Sequence, residues 1–207
     1  GAGAALDTAA LLAEYRKLAT ADGKVAAAAG DAPGTLAKAG KVVDVEYVLP
    51  YLAHAPMEPL NATVRIGADG CDIWTGTQMQ TMEQMTAAAI TGLKPEQVRI
   101  HTTFLGGGFG RRATPSCDWV SEAVHVAKAA GTAVKTVWTR EDDVRGGYYR
   151  PMVVHRIRAA LGSDGLPQGW DHTVVCQSVL AGSPFEAMIP KNGVDPASVA
   201  GAADSPY

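Results

Sequence analysis

The sequence predicts an α+β fold with mixed sheets, in which strand-helix-strand units follow one another. Three observations support this prediction. Val42–Leu49 alternates between apolar and polar residues, the period-two pattern of a strand. Two apolar segments are each interrupted by a four-residue turn that ends in Asp-Gly, at residues 67–70 and 162–165, as expected for β-hairpins. Between these hairpins, strand patterns and helix patterns alternate.

The N-terminal region differs in composition from the rest of the chain. Residues 1–41 are predicted to form a helix (6–19), followed by an Ala/Gly-rich linker with a short second helix at 34–39. Residues 42–207 are then expected to form one α+β domain. The abrupt start and end of the sequence favour an internal part of a larger subunit.

Two helices are expected between the hairpins. The first would begin at Thr77, which forms a candidate capping box with Gln80, and end at Gly92. Its buried face would carry four residues: Met79, Met82, Met85 and Ala89. The second would begin at Thr114 and end at Gly131. Its buried face would carry four residues: Val120, Ala123, Val124 and Ala127. Strands are expected at 98–104 and 134–138.

Composition excludes several classes of protein. Apolar residues make up 47% and charged residues 19% of the chain, as in globular domains. A net charge of −3 gives no support for nucleic-acid binding. No apolar run is long enough for a transmembrane segment. The three cysteines are isolated, and the histidines lack metal-ligand spacing.

The most distinctive segment is a glycine-rich loop at residues 105–112. Gly106, Gly107 and Gly108 precede Phe109 and Gly110, so the backbone can adopt positive φ and form an anion-binding nest of N–H groups. Arg111 and Arg112 follow and add bidentate donors for phosphate. The spacing matches neither the P-loop nor the dinucleotide fingerprint. The sequence therefore predicts either a loop that holds a phosphorylated cofactor or a tight strand-to-helix connection.

The position of this loop predicts a ligand crevice. If the strands at 72–75 and 98–104 are parallel, a right-handed crossover places the start of both following helices at the same sheet edge. Gln78 and the glycine-rich loop would then face one crevice, where helix N-termini add positive potential. We therefore expect an anionic ligand between Gln78 and Phe109.

Other polar clusters leave two interpretations open. His54 and Glu58 lie in a proline-rich segment and could be ligands or acid–base groups, or they could satisfy the loop backbone. The acidic run 141–143 could bind a cation or form a hydrated turn. The basic and aromatic residues 145–151 suggest a packing or partner surface.

Several motifs together resemble the molybdopterin-binding large subunit of the xanthine dehydrogenase/aldehyde oxidase family. The segment 106–110 resembles its Gly-Gly-Phe-Gly loop, and residues 74–78 resemble its Thr-Gln segment. Residues 139–142 and 147–151 resemble its Arg/Glu/Asp and Arg-x-Pro stretches. The sequence of residues 53–61 and the Gly-Arg-Arg end of the glycine-rich loop most resemble the isoquinoline 1-oxidoreductase beta-subunit branch of this family.

This resemblance implies a molybdopterin-binding fold and an oxidoreductase that oxidises aldehydes or N-heterocycles, with water as the oxygen source. Gln78 would orient an oxo ligand of molybdenum. The implied cofactor-binding residues are Gly106, Gly107, Gly108, Phe109, Gly110, Arg111 and Gln78. No residue of this chain matches the family's general base, and none is assigned as a metal ligand. Ala113 stands where purine-oxidising members carry glutamate, which argues against purine recognition.

The resemblance also implies partners that lie outside this sequence. These are the remainder of the large subunit, a small [2Fe-2S] iron–sulfur subunit and a small-molecule aldehyde or N-heterocycle. The cofactor would carry molybdenum, in the cytosine dinucleotide form, and the isolated chain would be inactive. A periplasmic location is favoured over a cytoplasmic one. The alternatives are a non-catalytic phosphate- or nucleotide-binding module and a structural docking fragment.

Overall fold

The computed structural model describes residues 5–189 and 193–200, which form two compact units. One unit contains residues 5–51 and the described residues after 150, and the other contains Leu52–Arg150. The helices and strands follow in chain order: α1 (Thr8–Leu18), α2 (Ala32–Lys38), β1 (Val42–Leu49), β2 (Asn61–Gly67), β3 (Gly70–Thr75), α3 (Gln80–Thr91), β4 (Val98–Thr102), α4 (Asp118–Ala130), β5 (Val134–Val137), α5 (Arg140–Arg145), β6 (Val153–Leu161) and β7 (Pro167–Cys176). The α+β class is confirmed. The domain boundary after residue 41 stays a prediction.

The first unit is built on an antiparallel sheet with the strand order β1-β6-β7. Val45 lies opposite Ile157 where β1 pairs with β6, and β6 and β7 form the second of the expected hairpins. Helix α1 packs Tyr15 against Met152 and Val154. Helix α1 therefore shares a core with residues of β6 and β7, which come from the other end of the sequence.

The second unit contains a mixed sheet with the strand order β4-β3-β2-β5. Strands β3 and β4 are parallel, with Ile73 opposite Ile100, as the sequence argument required. Helices α3 and α4 contribute to a core with one face of this sheet. Its buried residues include Leu60, Val64, Ile73, Ala87, Trp119, Val120 and Val124. The carboxyl ends of β3 and β4 consequently meet at one edge.

Helix α3 differs from the prediction at its start and on its buried face. It begins at Gln80 rather than Thr77, whose hydroxyl accepts the N–H of Met79 at 3.0 Å. Its buried residues are Glu83, Ala87 and Ala88, whereas Met85 is 55% exposed. The predicted methionine face is wrong because a repeat of three residues drifts by about 60° per step around an α-helix.

Helix α4 also begins later than expected. It starts at Asp118, after Cys117 in the left-handed region, and the Thr114 hydroxyl donates to the Asp118 carboxylate at 2.9 Å. The expected apolar stripe is confirmed, since all four of its residues are buried. The predicted helix ends are also confirmed, with left-handed φ angles of 80° at Gly92 and 65° at Gly131.

Helix α5 was not predicted from the sequence. Thr139 and Asp142 form a capping box, with the Asp142 carboxylate accepting the Thr139 N–H at 3.0 Å. Asp143 accepts a hydrogen bond from Arg140 at 2.6 Å. The acidic run thus forms the first turn of a helix instead of a hydrated turn or cation site. No helix in the described ranges is long and apolar enough to cross a membrane.

The buried carboxyl of Glu83 generates a prediction about stability. Burial raises the pKa of Glu83 from 4.5 to about 7, although the Thr77 hydroxyl and the charge of Arg112 oppose this change. The folded state therefore keeps a proton that the unfolded chain releases, and stability should fall as the pH rises from about 4.5 to about 7. We expect Glu83→Gln to be more stable than the wild type at pH 8 by about 1–3 kcal/mol, with little difference near pH 4.

Urea unfolding at both pH values measures this difference. Glu96→Gln is the matched control because Glu96 is exposed. An equal pH dependence in the wild type and in Glu83→Gln would contradict the prediction.

Candidate functional site

The structure brings Gln78 and the glycine-rich loop together at the carboxyl edge of β3 and β4. The Gln78 N–H donates to the Arg112 carbonyl at 3.0 Å, and the Gln78 side-chain oxygen accepts the Arg112 N–H at 3.3 Å. A Cβ atom on Gly108 would lie 2.7 Å from that side-chain oxygen. Glycine is therefore required at position 108 for Gln78 to occupy this place.

The carbonyl groups of the loop are held by the fold. Three consecutive carbonyls accept hydrogen bonds: Gly106 O from Glu58 N at 3.0 Å, Gly107 O from Arg112 Nε at 2.8 Å, and Gly108 O from Arg111 N at 2.9 Å. A trans peptide directs its N–H opposite to its carbonyl, and the described chain has no cis peptide. The N–H groups of Gly107, Gly108 and Phe109 consequently point away from these partners.

Four N–H groups of the glycine-rich loop remain unpaired. Within residues 5–189 and 193–200, the N–H groups of Gly107, Gly108, Phe109 and Gly110 have no hydrogen-bond acceptor. The side-chain nitrogen of Gln78 is also without an acceptor in that part of the chain, because its oxygen faces Arg112. Successive free N–H groups form a concave site for electron-rich groups. The site can therefore donate at least five hydrogen bonds to a ligand.

The loop backbone is strained where these donors lie. Phe109 has a φ of 55°, and its neighbours Gly107 and Gly110 have φ values of 105° and 89°. A bulky residue in the left-handed region is rare, and the Phe109 side chain is 74% exposed, so its burial cannot offset this strain. Such strain occurs preferentially at functional sites.

Both arginine side chains are turned into the fold and paired there, whereas the sequence analysis expected them to add donors for phosphate. Cofactor binding by Arg111 stays a prediction. Arg111 and Arg112 are 1% and 0% exposed. Arg111 forms two hydrogen bonds with the Asp118 carboxylate, at 3.0 and 2.7 Å. Arg112 donates to the carbonyls of Gly107 and Gly76 and to Glu58. Sequence shows that charge is present but not which way a long side chain folds.

The proline-rich segment around Glu58 forms hydrogen bonds with the glycine-rich loop. Glu58 accepts the Gly106 N–H at 2.7 Å, the Asn61 amide at 2.7 Å and the Arg112 guanidinium at 3.1 Å. Burial opposes ionisation of Glu58, but these three interactions outweigh it and lower its pKa. Burial and the nearby charge of Arg111 lower the pKa of His54. Of the two interpretations, the geometry favours the structural one for Glu58.

The fold presents backbone and amide donors, instead of charged side chains, at one edge of the mixed sheet. Residues 17–198 match the family described as the molybdopterin cofactor-binding domain. The chain therefore belongs to the molybdopterin cofactor-binding domain family.

Two relatives and one solved structure are similar to 62–77% of the chain. The chain is 41% identical, over 62% of its length, to isoquinoline 1-oxidoreductase subunit beta of Brevundimonas diminuta, of which it covers 16%. It is 31% identical, over 70% of its length, to a membrane-bound aldehyde dehydrogenase of Gluconacetobacter polyoxogenes, of which it covers 20% and whose name includes pyrroloquinoline-quinone. The fold matches quinoline 2-oxidoreductase from Pseudomonas putida 86, with a TM-score of 0.62 and 20% identity, over 77% of this chain and 21% of that one. The chain thus spans about a fifth of these relatives.

The strain at Phe109 can be measured. Replacing an exposed left-handed Phe109 with glycine removes the Cβ clash at the cost of little buried surface. We expect Phe109→Gly to increase the free energy of unfolding by about 1 kcal/mol. Chemical denaturation measures this change, with Phe104→Gly as the control, because Phe104 is likewise exposed but has no positive φ. Equal destabilisation by the two substitutions would rule out strain at Phe109.

Proposed function

We propose that this chain supplies part of the cofactor site of a molybdenum-dependent oxidoreductase subunit. In this proposal, the N–H groups of residues 107–110 and the Gln78 amide hold molybdopterin. The observation that carries the proposal is the row of four unpaired N–H groups beside an unpaired carboxamide nitrogen. An apolar ligand would leave these donors unsatisfied, at a cost of about 1–3 kcal/mol for each buried group.

The donor set fits this cofactor. The pterin and its phosphate carry acceptor atoms that backbone N–H groups can reach, because the loop has hydrogen in place of side chains at Gly107, Gly108 and Gly110. Gln78 would donate its side-chain N–H toward the metal end of the cofactor. When bound, the cofactor would supply the redox chemistry, and this chain would hold the cofactor in one orientation.

We extend the proposal to the whole enzyme through the relatives. The names isoquinoline 1-oxidoreductase and quinoline 2-oxidoreductase support an N-heterocycle as substrate, and the aldehyde dehydrogenase supports an aldehyde. We further propose the cytosine dinucleotide form of the cofactor, water as the oxygen source and a small [2Fe-2S] partner subunit. The remaining part of the large subunit would supply the general base.

Two alternative functions fit the geometry less well. A phosphate- or nucleotide-binding module would use Arg111 and Arg112, but both guanidinium groups are buried and paired within this chain. A docking fragment with a purely connecting loop would need neither unpaired N–H groups nor a strained Phe109. The molybdopterin proposal accounts for both observations.

A substitution at Gly108 tests the proposal. Gly108→Ala places a methyl group 2.7 Å from the Gln78 side-chain oxygen, so Gln78 must move away from the row of donors. We expect the full-length subunit to lose at least 90% of its molybdenum and pterin, because the donors no longer converge. Metal analysis and pterin identification on the purified protein measure both.

Gly23→Ala is the matched control, since a Cβ atom at Gly23 meets nothing within 4 Å. Full molybdenum content in Gly108→Ala would contradict the proposal. If a quinone instead of a pterin is extracted from the wild type, the proposed cofactor class is wrong.

The division of the active site generates a further expectation. The chain by itself should show no turnover of aldehydes or N-heterocycles, even after incubation with the cofactor, because the proposed base lies elsewhere in the subunit. Activity assays of the isolated chain and of the full-length enzyme make this comparison. Turnover by the isolated chain would show that the catalytic groups are all present here.

A further inference from the structure

The structure assigns Glu58 as a positioning residue that sets the direction of the unpaired N–H groups in the glycine-rich loop. This inference rests on the proposed function, which makes those N–H groups the contacts to the cofactor. It concerns a residue outside the loop that acts through its hydrogen bonds to Gly106 and Arg112.

Glu58 holds both polar backbone groups of Gly106. Its N–H donates to the Gly106 carbonyl at 3.0 Å, and its carboxylate accepts the Gly106 N–H at 2.7 Å. A Cβ atom on Gly106 would lie 2.4 Å from the Cβ atom of Glu58, so the two backbones approach as closely as glycine permits. The start of the loop is therefore fixed from one side by a single residue.

Glu58 also balances the charge of Arg112. The Arg112 side chain is fully buried, and its guanidinium lies 3.1 Å from the Glu58 carboxylate. A buried cation is stable only when it is paired and its donors are satisfied. Among the described residues, Glu58 provides the carboxylate in contact with Arg112, while Asp118 is engaged with Arg111.

Charge balance at Arg112 determines the direction of the donors. Arg112 Nε holds the Gly107 carbonyl at 2.8 Å, and Arg112 Nη1 holds the Gly76 carbonyl at 3.2 Å. Because the peptide between Gly107 and Gly108 is trans, a carbonyl held toward Arg112 directs the Gly108 N–H toward the opposite side. Removing the negative charge would allow Arg112 to move toward water and would release this peptide.

Both carboxylate oxygens of Glu58 are already engaged within the fold. One carboxylate oxygen accepts from Gly106 and Arg112, and the other accepts from Asn61 at 2.7 Å. An ionised carboxylate offers acceptors only and would repel a phosphate. We therefore assign its contribution to cofactor binding to the groups that it holds.

The experiment compares Glu58→Gln with Glu58→Asp in the full-length subunit. Glutamine keeps the size of the side chain and can still accept the Gly106 N–H, but it carries no charge for Arg112. We expect hydrogen exchange at the Gly106 and Arg112 amides to become at least tenfold faster and the molybdenum content to fall at least fivefold. The aspartate variant keeps the charge and should recover at least half of the molybdenum content, a rescue that loss of side-chain volume alone would not produce.

Glu96→Gln is the control, because it makes the same chemical change at an exposed residue and should alter neither exchange nor molybdenum content. Should Glu58→Gln fail to fold, Asn61→Ala replaces it, since Asn61 holds the other carboxylate oxygen, and the same two measurements apply with an expected loss of at least twofold in molybdenum content.

The outcomes separate this inference from the proposed function. If Gly108→Ala loses molybdenum while Glu58→Gln keeps it, Glu58 has no positioning role and the cofactor proposal stands. If both variants keep the metal although exchange at Gly106 accelerates, the loop does not bind the cofactor, and both proposals fail. Wild-type exchange at Gly106 and Arg112 in Glu58→Gln would overturn the positioning role directly.

Discussion

The buried guanidinium of Arg112 is the interaction on which the site depends. It donates to the carbonyls of Gly107, Gly76 and Glu58 and to the Glu58 carboxylate, with the side chain fully excluded from water. An arginine has five N–H donors in a fixed plane, so one residue can join three separate segments of backbone. The carbonyl groups are thereby directed inward, and the N–H groups of the loop remain available for a ligand.

Sheet topology places these segments within reach of one side chain. Strands β3 and β4 are parallel neighbours. Gly76, which follows β3, and the glycine-rich loop, which follows β4, therefore lie at the same edge of the sheet. Helix α4 packs against the sheet in a rigid core, and Trp119 donates to the Thr75 hydroxyl at 3.1 Å. This core holds the ends of the strained loop. A left-handed phenylalanine persists only where its surroundings fix the backbone in this way.

Local patterns in the sequence were sufficient for the strands, the helix ends at Gly92 and Gly131, and the meeting of Gln78 with the loop. The last of these followed from a rule about parallel crossovers, which needs only the order of the elements. Three features could not be predicted from local patterns. The inward direction of Arg112 depends on Glu58, which lies 54 residues earlier. Burial of Glu83 contradicts its polarity, and α5 contains only six residues, too few for an apolar periodicity.

Charge compensation beneath the loop also determines which property of the ligand the site can recognise. Arg111 pairs with Asp118 and Arg112 with Glu58, while Arg140 pairs with Asp143 and also donates to the Pro56 carbonyl. Each cation is thus neutralised by a carboxylate within the same unit, and little net charge acts on the loop. If the loop binds the cofactor as we propose, the attraction must then come from oriented peptide dipoles, which act over short distances and are weakly screened by salt. Such a site selects the positions of acceptor atoms more than total charge, which suits a cofactor that must be held in one orientation.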